Sequence, residues 1–370
     1  MKFNIAVIPG DGIGPDVIMQ AKKTLNAVGE AFNHEFKYTE ALMGACAIEK
    51  TGDPLPDETV EICKKSDAIL FGAIGDPKYD NDPTAKIRPE QGLLKLRKDL
   101  GLFCNIRPVK VHDRLVKKSP LKEEVIKGTD IVFYRELTGG IYFGNKNLSE
   151  DGRVASDECK YTIEEIERIT HLAFKEAQKR NKKLTLVDKA HVLETSRLWR
   201  KTVAEIANEY EDVSLNFLYV ENAAMQLILD PKKFDVILTS NLFGDIISDE
   251  ASVIGGSIGL LASASIGDHA LFEPIHGSFP QAKGKDKANP LAAILSVGML
   301  LEYLGLQEEA NAVEQAVTES LTVGVTTEDI NSDNPFSTSK VGDFIASAIL
   351  NPDDTPLNLR NLQMGQSTFI

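Results

Sequence analysis

The chain has 370 residues, 42% hydrophobic and 26% charged, with a formal net charge of 41 − 55 = −14. That length suggests about two to three domains and ample core without structural disulfides or metals. The composition excludes a disordered, collagen-like or coiled-coil chain, and the acidic balance argues against nonspecific binding to nucleic acid or an anionic membrane, though not against an anionic substrate.

Cys46, Cys63, Cys104 and Cys159 form no C-x-x-C pair and no Cys/His cluster. Four reduced thiols in a cytoplasmic protein are therefore expected. Met1 to Pro9 is too short for a signal-peptide core, and no apolar run approaches the ~20 residues of a membrane span.

Phe3 to Ile8 reads as a strand that ends in the turn Pro9-Gly10-Asp11-Gly12. Pro15 then suits the first turn of a helix reaching about Phe32. Ala68 to Ile74, Ile131 to Tyr134, Leu184 to Val187 and Val236 to Thr239 read as further buried strands. Thr162 with Glu165 three residues on is a capping-box pattern that starts another helix. Strands alternating with helices predict an α/β fold with a largely parallel sheet. Thr138 to Asn145, rich in glycine and aromatics, reads as a β-arm or hairpin, and Lys179 to Lys183 as a solvated helix end.

Gly10-Asp11-Gly12-Ile13-Gly14-Pro15 resembles a dinucleotide fingerprint, but Pro15 replaces its third glycine. It is either a tight strand-to-helix turn or a ligand-contacting loop. Asp245 and Asp249, four apart, share one face if their segment is helical. Exposed helix acids are the plain reading, but the apolar flank of Leu242, Phe243, Ile246 and Ile247 favours a hard divalent cation, Mg²⁺ or Mn²⁺, between them. Arg97, Arg107 and Arg135 lie in apolar or turn-like contexts. Each alone suits a surface ion pair, and each can also offer a fork to a carboxylate. Lys189 follows a strand, where α/β folds place ligands. Tyr142 on the glycine-rich segment is a candidate proton donor or an interface aromatic. The long segment Phe272 to Pro280, followed by Gly284 and Ala288-Asn-Pro290, has the length and turn chemistry of a functional loop.

IPGDGIGP, KIRPEQGLLKLR, NIRP, RELTGGIYFG, DKAHVLE, SNLFGDIISDE, FEPIHGS and ANP occur in that order along nearly the whole chain. Their ordered sum resembles the β-decarboxylating isocitrate/isopropylmalate dehydrogenases. The resemblance implies an α/β, two-domain, non-Rossmann fold with a β-arm in the central domain. One domain would comprise 1–102 with 257–370 and the central one 103–256. It also implies a cytoplasmic homodimer with shared active sites. Arg97, Arg107 and Arg135 match the arginines that hold substrate carboxylates, and Asp245 and Asp249 match the metal ligands. Lys189 matches the lysine that helps remove the C2 hydroxyl proton, and Tyr142 the tyrosine that protonates the enol. Ile13, Glu90, His276, Gly277, Ser278, Gln281 and Asn289 fall where the family binds its nicotinamide cofactor, NAD being expected. Leu93 and Leu94 match leucines that meet an isopropyl group, so 3-isopropylmalate is the implied substrate and isocitrate is disfavoured. Tartrate, malate, homoisocitrate and alkylmalate relatives, or a catalytically silent binding subunit, are the alternatives.

Four positions depart from the family pattern, of which Ala262, in place of a common proline before Ser-Ala-Ser, is expected to have only a modest local effect. Glu221 stands where an aspartate is donated to the partner's metal site, and is expected still to bind metal and face substrate. His191 replaces an asparagine after Asp-Lys-Ala, bringing a ring that either hydrogen-bonds near cofactor or substrate or simply fills space. Gln281 replaces the aspartate that repels a 2′-phosphate, which opens the NAD versus NADP preference, with Lys283 nearby as a cation that would favour the phosphate.

Overall fold

The structure is a computed structural model and describes residues 1–81 and 85–363. The apolar run at Phe3 forms the strand Lys2–Gly10. It pairs in parallel with Glu35–Glu40 on one side and Ala68–Ala73 on the other, and Ala68–Ala73 pairs in parallel with Ala270–Pro274. Ala68–Ala73 is buried at every position, as a parallel strand covered on both faces must be. The helices Gly14–Phe32, Leu291–Tyr303, Gln307–Val323 and Thr338–Leu350 pack with this sheet and with one another. These elements belong to a first unit made of Met1–Leu100, Ser257–Ala264 and Asp268 onward.

Gly101–Gly256 with Ser265–Gly267 form a second unit. Its strands run in the order Leu102–Lys110, Asp130–Glu136, Val236–Thr239, Lys183–Asp188, Ser214–Tyr219. The first pair is antiparallel and the rest are parallel. Side-chain alternation sorts the core onto two faces. Leu184, Leu186, Val236 and Leu238 meet Ile166, Phe174 and Trp199, while Val187 and Ile237 meet Phe133, Ile247 and Ala251. The capping box starts the helix Ile163–Lys179 as its spacing predicts. The Thr162 amide donates to Glu165 Oε2 at 2.8 Å, and the Glu165 amide to Thr162 Oγ1 at 3.3 Å.

The fold class is therefore α/β with mainly parallel pairing, and the four cysteines are free. One expectation is corrected. Thr138 to Asn145 is not the hairpin: it contains the short 3₁₀ turn Gly140–Tyr142, and the antiparallel arm lies beyond it, Lys146–Leu148 paired with Ala155–Asp157. Glycines at 139, 140 and 144 serve close packing. Cβ atoms there would fall within 3 Å of Tyr161 or Glu158. The signal that looked like strand was a crowded turn.

Candidate active site

In the second unit the helix Asn241–Ser252 carries Asp245 and Asp249 one turn apart. The antiparallel register sets Arg135 opposite Asn105, whose Oδ1 accepts from Arg107 Nε at 2.7 Å. Arg107 Nη1 then donates to Asp249 Oδ1 at 2.8 Å and to Ser248 Oγ at 2.8 Å, and its Nη2 lies 3.7 Å from Asp245. Arg135 Nη1 reaches Asp245 Oδ1 at 2.6 Å. Gly244 makes this approach possible, since a Cβ there would stand 2.7 Å from Arg135 Cγ and from Thr239 Cγ2. Two acids thus face two arginines. The arginines are buried, whereas Asp249 is 64% exposed and Asp245 32%.

Tyr142 closes this cluster. Its hydroxyl donates to Asp245 Oδ2 at 2.7 Å, and the Arg135 guanidinium lies 5.8 Å from its ring centre. Burial pushes the phenol up to about 12, with the Asp245 hydrogen bond and charge adding to it, so Tyr142 holds its proton at neutral pH. Two residues that sequence reasoning passed over fix the turn beneath it. Glu136, fully buried, accepts from the Thr138 amide and hydroxyl at 2.9 and 2.7 Å and from the Gly139 amide at 2.7 Å. Asn241 donates through Nδ2 to the Gly139 carbonyl at 3.2 Å and accepts from Arg135 at Oδ1. Asn241 stands inside the quoted SNLFGD motif, and a polar residue at the start of an apolar helix was the available signal.

Lys189 follows the strand Lys183–Asp188, and its Nζ pairs with Glu221 Oε2 at 2.7 Å. That hydrogen bond holds the Glu221 carboxyl below its ordinary range. His191 Nε2 is 3.9 Å from Glu221 Oε1, and its ring meets Tyr219 edge-on at 4.2 Å. Buried Asp188 anchors the lysine's turn by gripping Arg200 through two 2.8 Å bonds and the Ala190 amide at 3.0 Å. Among the described residues no three His, Cys, Asp or Glu side chains gather as a metal-binding group. Glu221 therefore does not join Asp245 and Asp249 within one chain. The two aspartates still suit a hard divalent cation. They are oxygen donors on one helix face, partly open to solvent, and their charge is now balanced by arginines that a ligand's carboxylates can engage instead.

In the first unit the helix Pro89–Asp99 aligns Glu90, Leu93, Leu94 and Arg97 along one face, with Gly92 and Leu96 buried on the other. Leu94 is 38% exposed. Arg97 Nη2 donates to Glu273 Oε1 at 3.0 Å, while its buried Nε has no partner. Glu90 and Ser278 both bracket Gly75, where a Cβ would lie 3.0 Å from Glu90 Oε1 and 3.6 Å from Ser278 Oγ. The Gly10–Gly14 turn is a packing junction. Gly12 has φ +56°, a Cβ there would collide with the Ser278 carbonyl, and that carbonyl accepts from the Ile13 amide at 2.7 Å. The amide is spent, but the Ile13 side chain lines a cavity of about 630 Å³ together with His276, Gly277, Gln281 and Asn289. That volume lies within the range of cofactor pockets. Glu90 and Ser278 do not line it, and Lys285 and Lys287, not Lys283, are its cations. His276 Nε2 is buried and unpartnered on the cavity wall, and burial holds the imidazole below its ordinary pKa. An orphaned buried polar atom on a residue that lines a cavity fits a bound polar ligand. The Asn289 side chain is already engaged, accepting from the Leu291 amide at 3.0 Å and donating to Asp329 at 2.9 Å.

A mainly parallel sheet fold carries a cavity of cofactor size in one unit and a cluster of arginines, acids and a protonated tyrosine in the other, chemistry suited to an anionic ligand. The chain belongs to the isocitrate/isopropylmalate dehydrogenase family, whose profile matches residues 4–345. A 3-isopropylmalate dehydrogenase of Bacteroides fragilis is 53% identical over 94% of this chain and 99% of its own length. One from Aquifex aeolicus is 55% identical over 90% and 92%. Among solved structures, an isocitrate dehydrogenase of Methylococcus capsulatus matches with TM-score 0.85 and 34% identity, covering 94% of this chain and 100% of its own. A β-decarboxylating dehydrogenase of Thermococcus kodakarensis matches with TM-score 0.78 and 36% identity over 95% and 98%. Among the described residues no helix is long and apolar enough to cross a membrane.

Proposed function

We propose that this protein oxidises 3-isopropylmalate at C2 and removes its β-carboxylate. Bound NAD would supply the hydride acceptor, giving 2-oxo-4-methylpentanoate, CO₂ and NADH as products, a step of leucine biosynthesis in the cytoplasm. The observation that carries the substrate assignment is the helix face on which Leu93 and exposed Leu94 sit one turn from Arg97. An apolar pair beside a carboxylate-binding cation suits a malate bearing an alkyl group. A third carboxylate against these leucines would lose its hydration without gaining a partner.

In this reading Arg97, Arg107 and Arg135 hold the substrate carboxylates. Lys189 takes the C2 hydroxyl proton, and Tyr142 returns a proton to carbon after CO₂ departs. Asp245 and Asp249 hold Mg²⁺ or Mn²⁺, with Glu221 contributed by a second copy. A cation held there would supply Lewis-acid polarisation of the substrate. A dicarboxylate entering with a divalent cation leaves the summed charge of the arginine–aspartate cluster unchanged, so neither need be buried uncompensated. Ile13, His276, Gly277, Gln281 and Asn289 contact the part of the dinucleotide within the cavity, and Glu90 and Ser278, which do not line it, the part outside it. Turnover of the purified protein with 3-isopropylmalate and Mg²⁺ tests this, run with NAD and NADP in parallel and with malate, tartrate and homoisocitrate as rival substrates. A higher kcat/KM for a rival would displace 3-isopropylmalate. Binding of substrate and cofactor without turnover of any of them would mark a silent subunit.

Gln281 on the cavity wall offers a ribose a hydrogen bond but no charge against a 2′-phosphate. The change Gln281→Asp should raise the ratio of kcat/KM for NAD over NADP by about tenfold, through repulsion of the phosphate. An unchanged ratio would remove Gln281 from the cofactor site.

The homodimer is proposed on the apolar surface that the second unit leaves open. Met225 and Leu229 on Val220–Leu229, and Ile246 on Asn241–Ser252, are 55%, 67% and 59% exposed on two helices that pack against each other. Contiguous exposed apolar residues of this size mark a contact surface. The same helices carry Glu221, Asp245 and Asp249, so a second copy seated there accounts for a shared site. Met225→Glu should convert the dimer to monomer in sedimentation and cut activity in parallel, because a charge buried at the contact has no partner.

A further inference from the structure

Among the described residues five non-glycine residues have positive φ, and Phe279 is the one aromatic among them. Its φ is 35° and ψ 64°, a left-handed conformation that a bulky side chain rarely adopts. It also precedes Pro280, and a residue before proline is driven toward extended backbone. Nothing in the core repays this strain, because Phe279 is 57% exposed. Among the described residues its ring stacks on no other aromatic ring. What the conformation does is place the side chain on the wall of the 630 Å³ cavity, which Ile258, 55% exposed, also lines. Strain of this kind persists where a site uses it.

We propose that Phe279 is a stacking shelf for the adenine ring of the dinucleotide, with Ile258 as its apolar companion in the same cavity. The proposal rests on the dinucleotide reading given above. The choice of ring follows from the lining. The nicotinamide must meet the substrate, and the residues assigned to substrate on Pro89–Asp99, Leu93, Leu94 and Arg97, are absent from this cavity's wall. Gln281, His276 and Lys285 are present there instead. They supply hydrogen bonds and a cation at hand for a ribose and its phosphates, and the aromatic face supplies the remaining need of an adenosine.

Calorimetric titration of ADP and of NADH into the ligand-free protein tests this, with the variants Phe279→Ala, Phe279→Gly and Phe279→Tyr. ADP affinity should fall about tenfold in the alanine and glycine variants, the loss of one base–aromatic stack, and stay within about twofold in the tyrosine variant. Glycine accepts positive φ without strain and alanine does not. Phe279→Gly should therefore melt above Phe279→Ala although both bind ADP equally weakly. Unchanged ADP affinity in both, with the wild type binding normally, overturns the shelf alone. Weakened NADH with unchanged ADP overturns the adenine assignment. A wild type that binds neither ADP nor NADH overturns the dinucleotide reading, and the shelf with it.

Discussion

Tyr142→Phe should lower kcat by about 10²- to 10³-fold while leaving KM for substrate within about threefold. The phenylalanine keeps the ring over the Arg135 guanidinium and removes only the hydroxyl that donates to Asp245 at 2.7 Å. In the proposed reading the arginines still hold the substrate carboxylates, so ground-state affinity has no reason to change. What is lost is a proton held by burial and by Asp245, on a group whose pKa is pushed up to about 12. A donor of that kind stays loaded at neutral pH and can deliver to a carbanion far more basic than itself. Partly exposed Asp245 keeps its 2.6 Å bond from Arg135, so folding stability should change by no more than about 1 kcal/mol. Steady-state kinetics together with a urea melt separate the two effects. A kcat within twofold of wild type would take Tyr142 out of proton transfer.

The position of that tyrosine was legible in the sequence, and what holds it there was not. RELTGGIYFG named Tyr142 through its order among the other motifs, yet its glycines read as strand because their turn geometry depends on Tyr161 and Glu158, which come later in the chain. Buried runs such as Ala68–Ala73 and Val236–Thr239 are legible because they are almost wholly apolar, only Thr239 being polar. Glu35–Glu40 and Ser214–Tyr219 escaped notice because their burial is partial and polar residues interrupt them. The antiparallel Leu102–Lys110 was missed for a different reason. Its arginine and asparagine look like loop chemistry until the register sets Asn105 beside Arg135. The same holds for the acid–base partners. Sequence spacing put Asp245 and Asp249 on one helix face, but their pairing with Arg107 and Arg135 spans more than a hundred residues. Glu273, Glu136 and Asn241 act by holding other side chains and the Gly139 turn in place, and a single sequence carries no mark of such a role.

Asn241 is where that hidden support should cost most when removed. Its side chain accepts from Arg135 Nε at 3.1 Å and Nη2 at 2.8 Å, and donates to the Gly139 carbonyl at 3.2 Å. Its backbone carbonyl takes a further bond from Arg135 at 3.0 Å, and its amide donates to the Tyr161 hydroxyl at 2.9 Å. Asn241→Ala spares the two backbone bonds and deletes the rest. The Arg135 side chain is only 4% exposed, so water cannot replace the lost acceptor, and the charge remains. Hydrogen bonds to buried charged groups are worth roughly 1.5–3 kcal/mol, which sets a destabilisation of about 2–3 kcal/mol for the variant. The functional loss should exceed the stability loss. Arg135 would be free to turn away from substrate, raising KM, and the Gly139 turn that carries Tyr142 would slacken, lowering kcat. Asn241→Asp discriminates the causes. A carboxylate keeps both acceptor contacts to Arg135 and sits at the positive end of the helix Asn241–Ser252, but it faces the Gly139 carbonyl with no donor. It should restore much of the stability and the KM while kcat stays low. If the aspartate variant instead recovers kcat in full, the Asn241–Gly139 bond does not position Tyr142, and the asparagine serves Arg135 alone.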